Sequence, residues 1–198
     1  MDLFHVVLTQ RACRHFLDEP VPDGDIERIL TAATHAPSAE NTQPWVFVVV
    51  RDADERAAIS ELARTLWSGG ARTYAEAHVG DAMLTSIDES IAYGFGLAPV
   101  LIVVGADLES GVHKSMLGSS IFPAVQNLLL AAAALGYGSA LTTMTTVVAD
   151  QLRAIIELPD SVQPLAVVPI GLAAKPLGAP RREPIATKTH RDRYGTPW

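Results

Sequence analysis

Two arginines three residues apart, Arg11 and Arg14, follow a short apolar pattern at Leu3, Phe4, Val7 and Leu8. If the helix runs on through them they share one face. Two guanidiniums on one face repel unless an anion lies between them, and arginine is the side chain suited to bidentate phosphate contact. The bland alternative is that cations collect at a helix C-terminus. A second candidate lies downstream, where Ala36 to Trp45 read A-P-S-A-E-N-T-Q-P-W. Pro37 stops the preceding helix and Pro44 stiffens the exit. Ser38, Asn41 and Gln43 supply donors and acceptors together, which suits the edge of a heterocycle better than a metal or a bare phosphate. The competing reading is a satisfied surface loop.

These segments need elements to position them. Leading into the loop, Ile26, Ile29, Leu30 and Ala33 fit a helix capped by Asp23 or Gly24. Leading out, Val46 to Val50 is a continuous apolar run, expected as a strand buried on both faces. Asp54 is expected to cap a third helix carrying Ile59, Leu62, Ala63 and Leu66 inward, broken by Ser68-Gly69-Gly70. The weakest pattern lies at 71–98, where helices over Arg72 to Leu84 and Ser86 to Tyr93 are expected, then a loop at Gly94-Phe95-Gly96. Val100 to Val104 and Leu165 to Ile170 read as buried strands, and 105–118 as a mobile or lid-like segment. A long helix opening at Ser119 or Ser120 and running through Leu135 is apolar nearly all round, so it must be covered on most sides. A partner subunit is the simplest cover, which predicts a homodimer. Asp150 is expected to cap a helix to Glu157. From about residue 173 the tail holds four prolines and many charges, and is expected to be extended and to wrap the partner subunit.

Bulk composition narrows the class. The chain has 198 residues, 48% of them hydrophobic, and a net charge of −7. That length favours one domain over 1–198. An acidic chain without a basic stripe argues against nucleic acid. Cys13 is the sole cysteine, so neither a disulfide framework nor a cysteine metal cluster is available. It reads as a packed thiol rather than a reactive one. The start shows no charged n-region followed by an apolar stretch, and the apolar run from Leu128 to Gly138 is too short for a bilayer. A cytoplasmic protein with no membrane partner is therefore expected. No G-x-G-x-x-G follows a strand, which argues against a Rossmann nicotinamide site. Walker A, H-E-x-x-H and G-x-S-x-G are also absent, and the six histidines never pair at ligand spacing.

Four segments, in order, carry a resemblance. They are R-A-C-R at 11–14; D-I-E-R-I-L-T-A-A leading into A-P-S-A-E-N-T-Q-P-W-V-F-V-V-V; N-L-L-L-A-A-A-A-L-G-Y-G-S-A-L; and R-R-E-P in the tail. Together they resemble the FMN-dependent nitroreductase family over most of the chain. The resemblance implies an α+β, three-layer nitroreductase-like fold, with a mostly antiparallel central sheet flanked by helices in an intertwined homodimer. FMN would lie at the interface, contacted by both subunits. On this likeness Arg11, Ala12 and Arg14, with Arg182 or Arg181 from the tail, hold the phosphate. Pro37, Ser38, Ala39 and Asn41 of the other subunit contact the ring and ribityl region. Leu141 and Thr142 pack at the reactive edge, and a backbone N–H near Thr143 faces flavin N5. Gln10, Ala12 and Ala39 stand where the family often has a basic residue, a serine and a serine.

The activity implied is an NAD(P)H-dependent FMN oxidoreductase that reduces a nitroaromatic, quinone or similar conjugated small-molecule acceptor by two-electron ping-pong turnover. The chemistry is carried by FMN, with no catalytic side chain and no metal. The alternatives are a flavin-dependent dehydrogenase or dehalogenase, a flavin-consuming enzyme on the same scaffold, or a flavin-sequestering protein.

Overall fold

The computed structural model describes residues 2–198. Its sheet has the strand order β1-β2-β4-β3, built from β1 (Trp45–Val50), β2 (Val100–Asp107), β3 (Gly138–Ser139) and β4 (Val162–Gly171). Every neighbouring pair is antiparallel. In β2 and β4 the side chains alternate between two apolar layers, as a two-residue period requires. Val100, Ile102, Val104, Ala166, Val168 and Ile170 join one core, while Leu101, Val103 and Val167 join the other. A sheet apolar on both faces needs helices on both, and the result is the three-layer α+β arrangement.

The first core is covered by α2 (Asp23–Thr34) and α7 (Leu117–Ala134), which pack on each other. Asn127 Nδ2 donates to the Ala32 carbonyl at 3.2 Å, and the Tyr137 hydroxyl donates to Asp25 Oδ2 at 2.7 Å, tying the far end of α7 back to the start of α2. The second core lies beneath α3 (Ala53–Leu66), α5 (Asp81–Ala92), the single turn α6 (Gly94–Leu97) and α8 (Ala149–Ile155). Two short helices complete the set, α1 (Leu3–Thr9) and α4 (Arg72–Glu76).

Several expectations need correction. Asp52, not Asp54, caps α3: its carboxylate accepts from the N–H groups of Asp54 and Glu55 at 2.9 and 3.1 Å. Both aspartates are good N-caps, and only the path of the chain out of β1 selects between them. The helix expected over Arg72 to Leu84 is two helices, parted by a turn before Gly80, and α5 reaches back to Asp81. Gly94 to Leu97 form a helical turn rather than an open loop. The segment 105–118 is ordered at both ends: Gly105 to Asp107 belong to β2, and Leu117 opens α7. Neither Asp23 nor Gly24 caps α2, whose cap position is Pro22 with no side-chain bond, and α8 runs from Ala149 to Ile155, also without a side-chain cap. β1 is not buried on both faces: it forms a sheet edge and most of it is half-exposed. α7 is covered along one side, where Leu117, Ile121, Ala124, Leu128 and Ala132 are buried, while Phe122 is exposed. By length and composition alone the stretch Lys114–Ala134, which only partly overlaps the apolar run Leu128 to Gly138, is apolar enough to cross a membrane. Its packing against α2 and the sheet accounts for that composition as a core helix.

Candidate active site

α1 stops at Thr9, so Arg11 and Arg14 do not share a helix face. The chain instead runs beside β3. Ala12 forms a parallel bridge with Ser139, and the Cys13 N–H donates to the Ser139 carbonyl at 2.9 Å. The approach is close: a Cβ placed on Gly138 would lie 2.6 Å from Cys13 Sγ, so glycine is needed there. Two cavities open along this paired run, one on each side of the Ala12–Ser139 bridge. The larger, about 470 Å³, is lined by Gln10, Arg11, Tyr137, Ser139 and Lys175 among others. The smaller, about 200 Å³, is lined by Arg14, Trp67, Phe95, Leu141, Thr142 and Met144 among others.

The electrostatics of this run are one-sided. Burial, and then the positive charge of Arg11, pull the Arg14 guanidinium below its ordinary value. Among the described residues, neither arginine pairs with a carboxylate, although six other cationic side chains and His15 do. Arg11 Nη1 donates only to the Gly178 carbonyl at 3.1 Å. The Ser139 hydroxyl is buried without a partner, which carries a desolvation cost unless a ligand or water meets it. Cys13 is a packed thiol, pushed up by burial, with Sγ 3.3 Å from the His15 carbonyl.

Leu141 is exposed, and Thr142 pairs with Val167 through both backbone groups at 3.0 and 2.8 Å. Among the described residues the Thr143 N–H meets no acceptor. The loop at 37–43 is self-organised. Ser38 Oγ accepts from the Gln43 N–H at 3.1 Å, and the Ala39 N–H donates to Ser120 Oγ at 3.1 Å. Glu40, Asn41 and Gln43 hold φ of +52°, +56° and +50°. That region is sparsely used by side chains other than asparagine, and such conformations concentrate at ligand sites. Pro37, Ser38, Ala39 and Asn41 line neither cavity of their own chain, nor do Arg181 and Arg182, which are exposed.

Sequence reasoning missed Lys175, Trp67, Ile87, Ser90 and Phe95 as lining residues. Trp67 offered one signal, a large aromatic placed directly before the Ser-Gly-Gly break. Lys175 offered none beyond its place just after the last strand.

The family model for nitroreductases matches residues 7–172. The chain belongs to the nitroreductase family. Among relatives of known name, a Methanothermobacter thermautotrophicus protein provisionally named NADH dehydrogenase/NAD(P)H nitroreductase is 30% identical over 179 residues, spanning 88% of this chain and 79% of its own length. An iodotyrosine deiodinase from Nematostella vectensis is 29% identical over 184 residues, 89% of this chain and 69% of that one. A provisionally named nitroreductase from Desulfovibrio desulfuricans, solved in complex with FMN, superposes with a TM-score of 0.78 at 24% identity, covering 98% of each chain.

Proposed function

We propose that this nitroreductase-family chain is an FMN-dependent oxidoreductase. In this reading it takes electrons from NADH or NADPH and passes them pairwise to a nitroaromatic, quinone or similar conjugated acceptor. The observation that carries the reading is the pair of neighbouring arginines without a carboxylate partner, set at successive cavities beside an unpartnered buried hydroxyl. Such a run fits a ligand with an anionic end and a flat, hydrogen-bonding body. FMN is of that kind, and when bound it supplies the two-electron chemistry. Names and bound ligands among the relatives support the same donor and cofactor.

The residues divide the work. Arg11 and Lys175 bind the phosphate, joined by Arg181 and Arg182 as the tail is drawn in. Arg14 stands at the other end, where its charge favours added electron density on the ring. This revises the joint phosphate grip expected for Arg11 and Arg14, because the two line different cavities. Ala12 holds the strand pairing, Leu141 and Thr142 flank the ring, and the Thr143 N–H is a donor for N5. Pro37, Ser38, Ala39 and Asn41 of a second copy cover the cleft. The need for that copy is supported by the half-exposed β1 edge and the uncovered apolar side chains Leu3, Phe4, Leu8 and Phe122. No side chain is required as acid or base.

The test is direct. Purified dimeric protein should carry FMN, lose its oxidised-flavin absorbance with NADH or NADPH under anaerobic conditions, and regain it on adding a nitroaromatic. Protein that binds no flavin, or binds it and does not respond to either nicotinamide, overturns the reading. The likeness to an iodotyrosine deiodinase favours one second reading, reductive dehalogenation, which iodide release from 3-iodotyrosine would establish.

A further inference from the structure

The smaller cavity has a wall that the family reading does not use. Trp67 lies where α3 gives way to a wider π-type turn over Trp67–Ala71, with Gly70 at φ +136°. A π-turn carrying a left-handed glycine often marks a functional site. The indole is locked from outside the cavity: Nε1 donates to Asp88 Oδ1 on α5 at 2.8 Å. Asp88 is held in turn by Arg72 from α4, whose Nε and Nη2 donate to its two oxygens at 3.0 and 3.1 Å. The π-type turn, α4 and α5 thus converge on one side chain, Asp88. With its N–H already committed, the indole offers the cavity only its apolar ring. Ile87, Ile91, Phe95 and Met144 line the same space and are apolar too, leaving Arg14, Ser90 and Thr142 as the polar groups. A volume of about 200 Å³ suits the end of one flat unsaturated ring system.

We propose that Trp67 is a ring-binding residue of the flavin cleft, packing against the end of the isoalloxazine that enters this cavity, with Asp88 and Arg72 as the residues that position it. The proposal rests on the FMN reading above and adds to it a contact that owes nothing to the phosphate. The substitution Trp67→Ala should therefore weaken binding of FMN and of riboflavin alike, each by about tenfold, since an aromatic contact of ordinary strength is lost from the part the two ligands share. It should also raise the emission of bound flavin, because an electron-rich indole in contact with the ring quenches it. Trp67→Phe keeps an aromatic wall and guards against a folding defect. It should hold affinity near wild type while still raising the emission.

The positioning role has its own readout. Asp88→Ala removes the acceptor for the indole N–H and should raise bound-flavin emission, whereas Asp88→Asn retains an oxygen there and should restore the quenching. Titrations of all four variants with FMN and with riboflavin, followed by emission, decide the matter. Wild-type affinity and wild-type emission in Trp67→Ala overturn the role of Trp67. Indistinguishable emission in Asp88→Ala and Asp88→Asn overturns the role of Asp88. A wild-type protein that binds neither ligand overturns the flavin reading itself and this contact with it.

Discussion

The two faces of the central sheet are built differently. The α2–α7 face is an apolar layer in which Ile29, Ile121, Leu128 and Val168 are fully buried, and the groove of about 590 Å³ between α2 and β1 on that face carries a paired Arg51 and Asp23. The opposite face shares the same strands but carries Cys13, the half-buried Arg14, the π-type turn at Trp67–Ala71 and a cavity of about 200 Å³. The first is a framework with the charge at its groove paired, and the second leaves Arg14 unanswered beside the cavity proposed to take the flavin ring. The largest test of that contrast is Leu128→Ala. It should cost about 2–5 kcal/mol, because a fully buried leucine on the framework face leaves a cavity that neighbouring helices fill poorly. Thermal melts should show the loss, while flavin bound per folded molecule stays at the wild-type value. A matching fall in flavin stoichiometry at temperatures where the protein is folded would erase the distinction between the faces.

Arg14→Ala is the converse. Burial and Arg11 both disfavour its charge and no carboxylate answers it, so the flavin-free protein should melt no lower than wild type. Its affinity for FMN should fall about thirtyfold, the loss of a charge-assisted contact. Calorimetric titration beside a melt of the flavin-free protein separates the two effects. A destabilised protein with intact affinity would make Arg14 a framework residue.

The same division governs what could be read from the sequence. On the framework face, α2 follows from Ile26, Ile29 and Ala33 at helical spacing, and β2 and β4 follow from continuous apolar runs. In both cases burial on one stripe or on two faces leaves its period in the residues. The ligand face has no such period. A single helix over Arg72 to Leu84 does not form because the chain turns before Gly80 to let Asp88 reach Arg72 and Trp67, contacts that link residues 16 and 21 positions apart. The pairing of Arg11 with Arg14 on one face failed for a related reason. After Thr9 the backbone follows β3 instead of its own helical course, and the partner strand lies more than a hundred residues away. An apolar run such as Val46–Val50 reads the same at the edge of a sheet as at its centre, so the exposure of β1 could not be foreseen either. Nor does any local pattern show that 37–41 turns away from its own chain's cavities. Family resemblance, not spacing, is what assigns that loop to the proposed site of a second copy.

Tyr137→Phe probes the seam between the faces. Its hydroxyl donates to Asp25 on the framework side, while its ring lines the larger cavity. Loss of the hydrogen bond to a carboxylate should lower stability by about 1–2 kcal/mol, seen as a lower melting temperature, with FMN affinity unchanged. Reduced affinity would show that the seam transmits strain into the cleft.

The smallest effect is the most diagnostic of how the ligand face is held. Arg72, and then the Trp67 indole, keep the Asp88 carboxyl below the usual carboxylate range. A carboxylate whose folded value is depressed adds stability at any pH above its unfolded value, near 3.9, and loses that contribution as pH falls through the folded one. The melting temperature of wild type should thus exceed that of Asp88→Asn by a constant margin from neutral pH down to about pH 5, and the margin should shrink below about pH 4. Because the Arg72–Asp88 pair faces solvent, the margin is small and should narrow further in high salt. The absence of any margin at neutral pH and low salt would mean that Asp88 acts through its hydrogen bond to the indole alone, which asparagine keeps. The ligand face would then be fixed by the same kind of local contact as the framework, and the contrast between the two would lie only in the cavity and its unpaired Arg14.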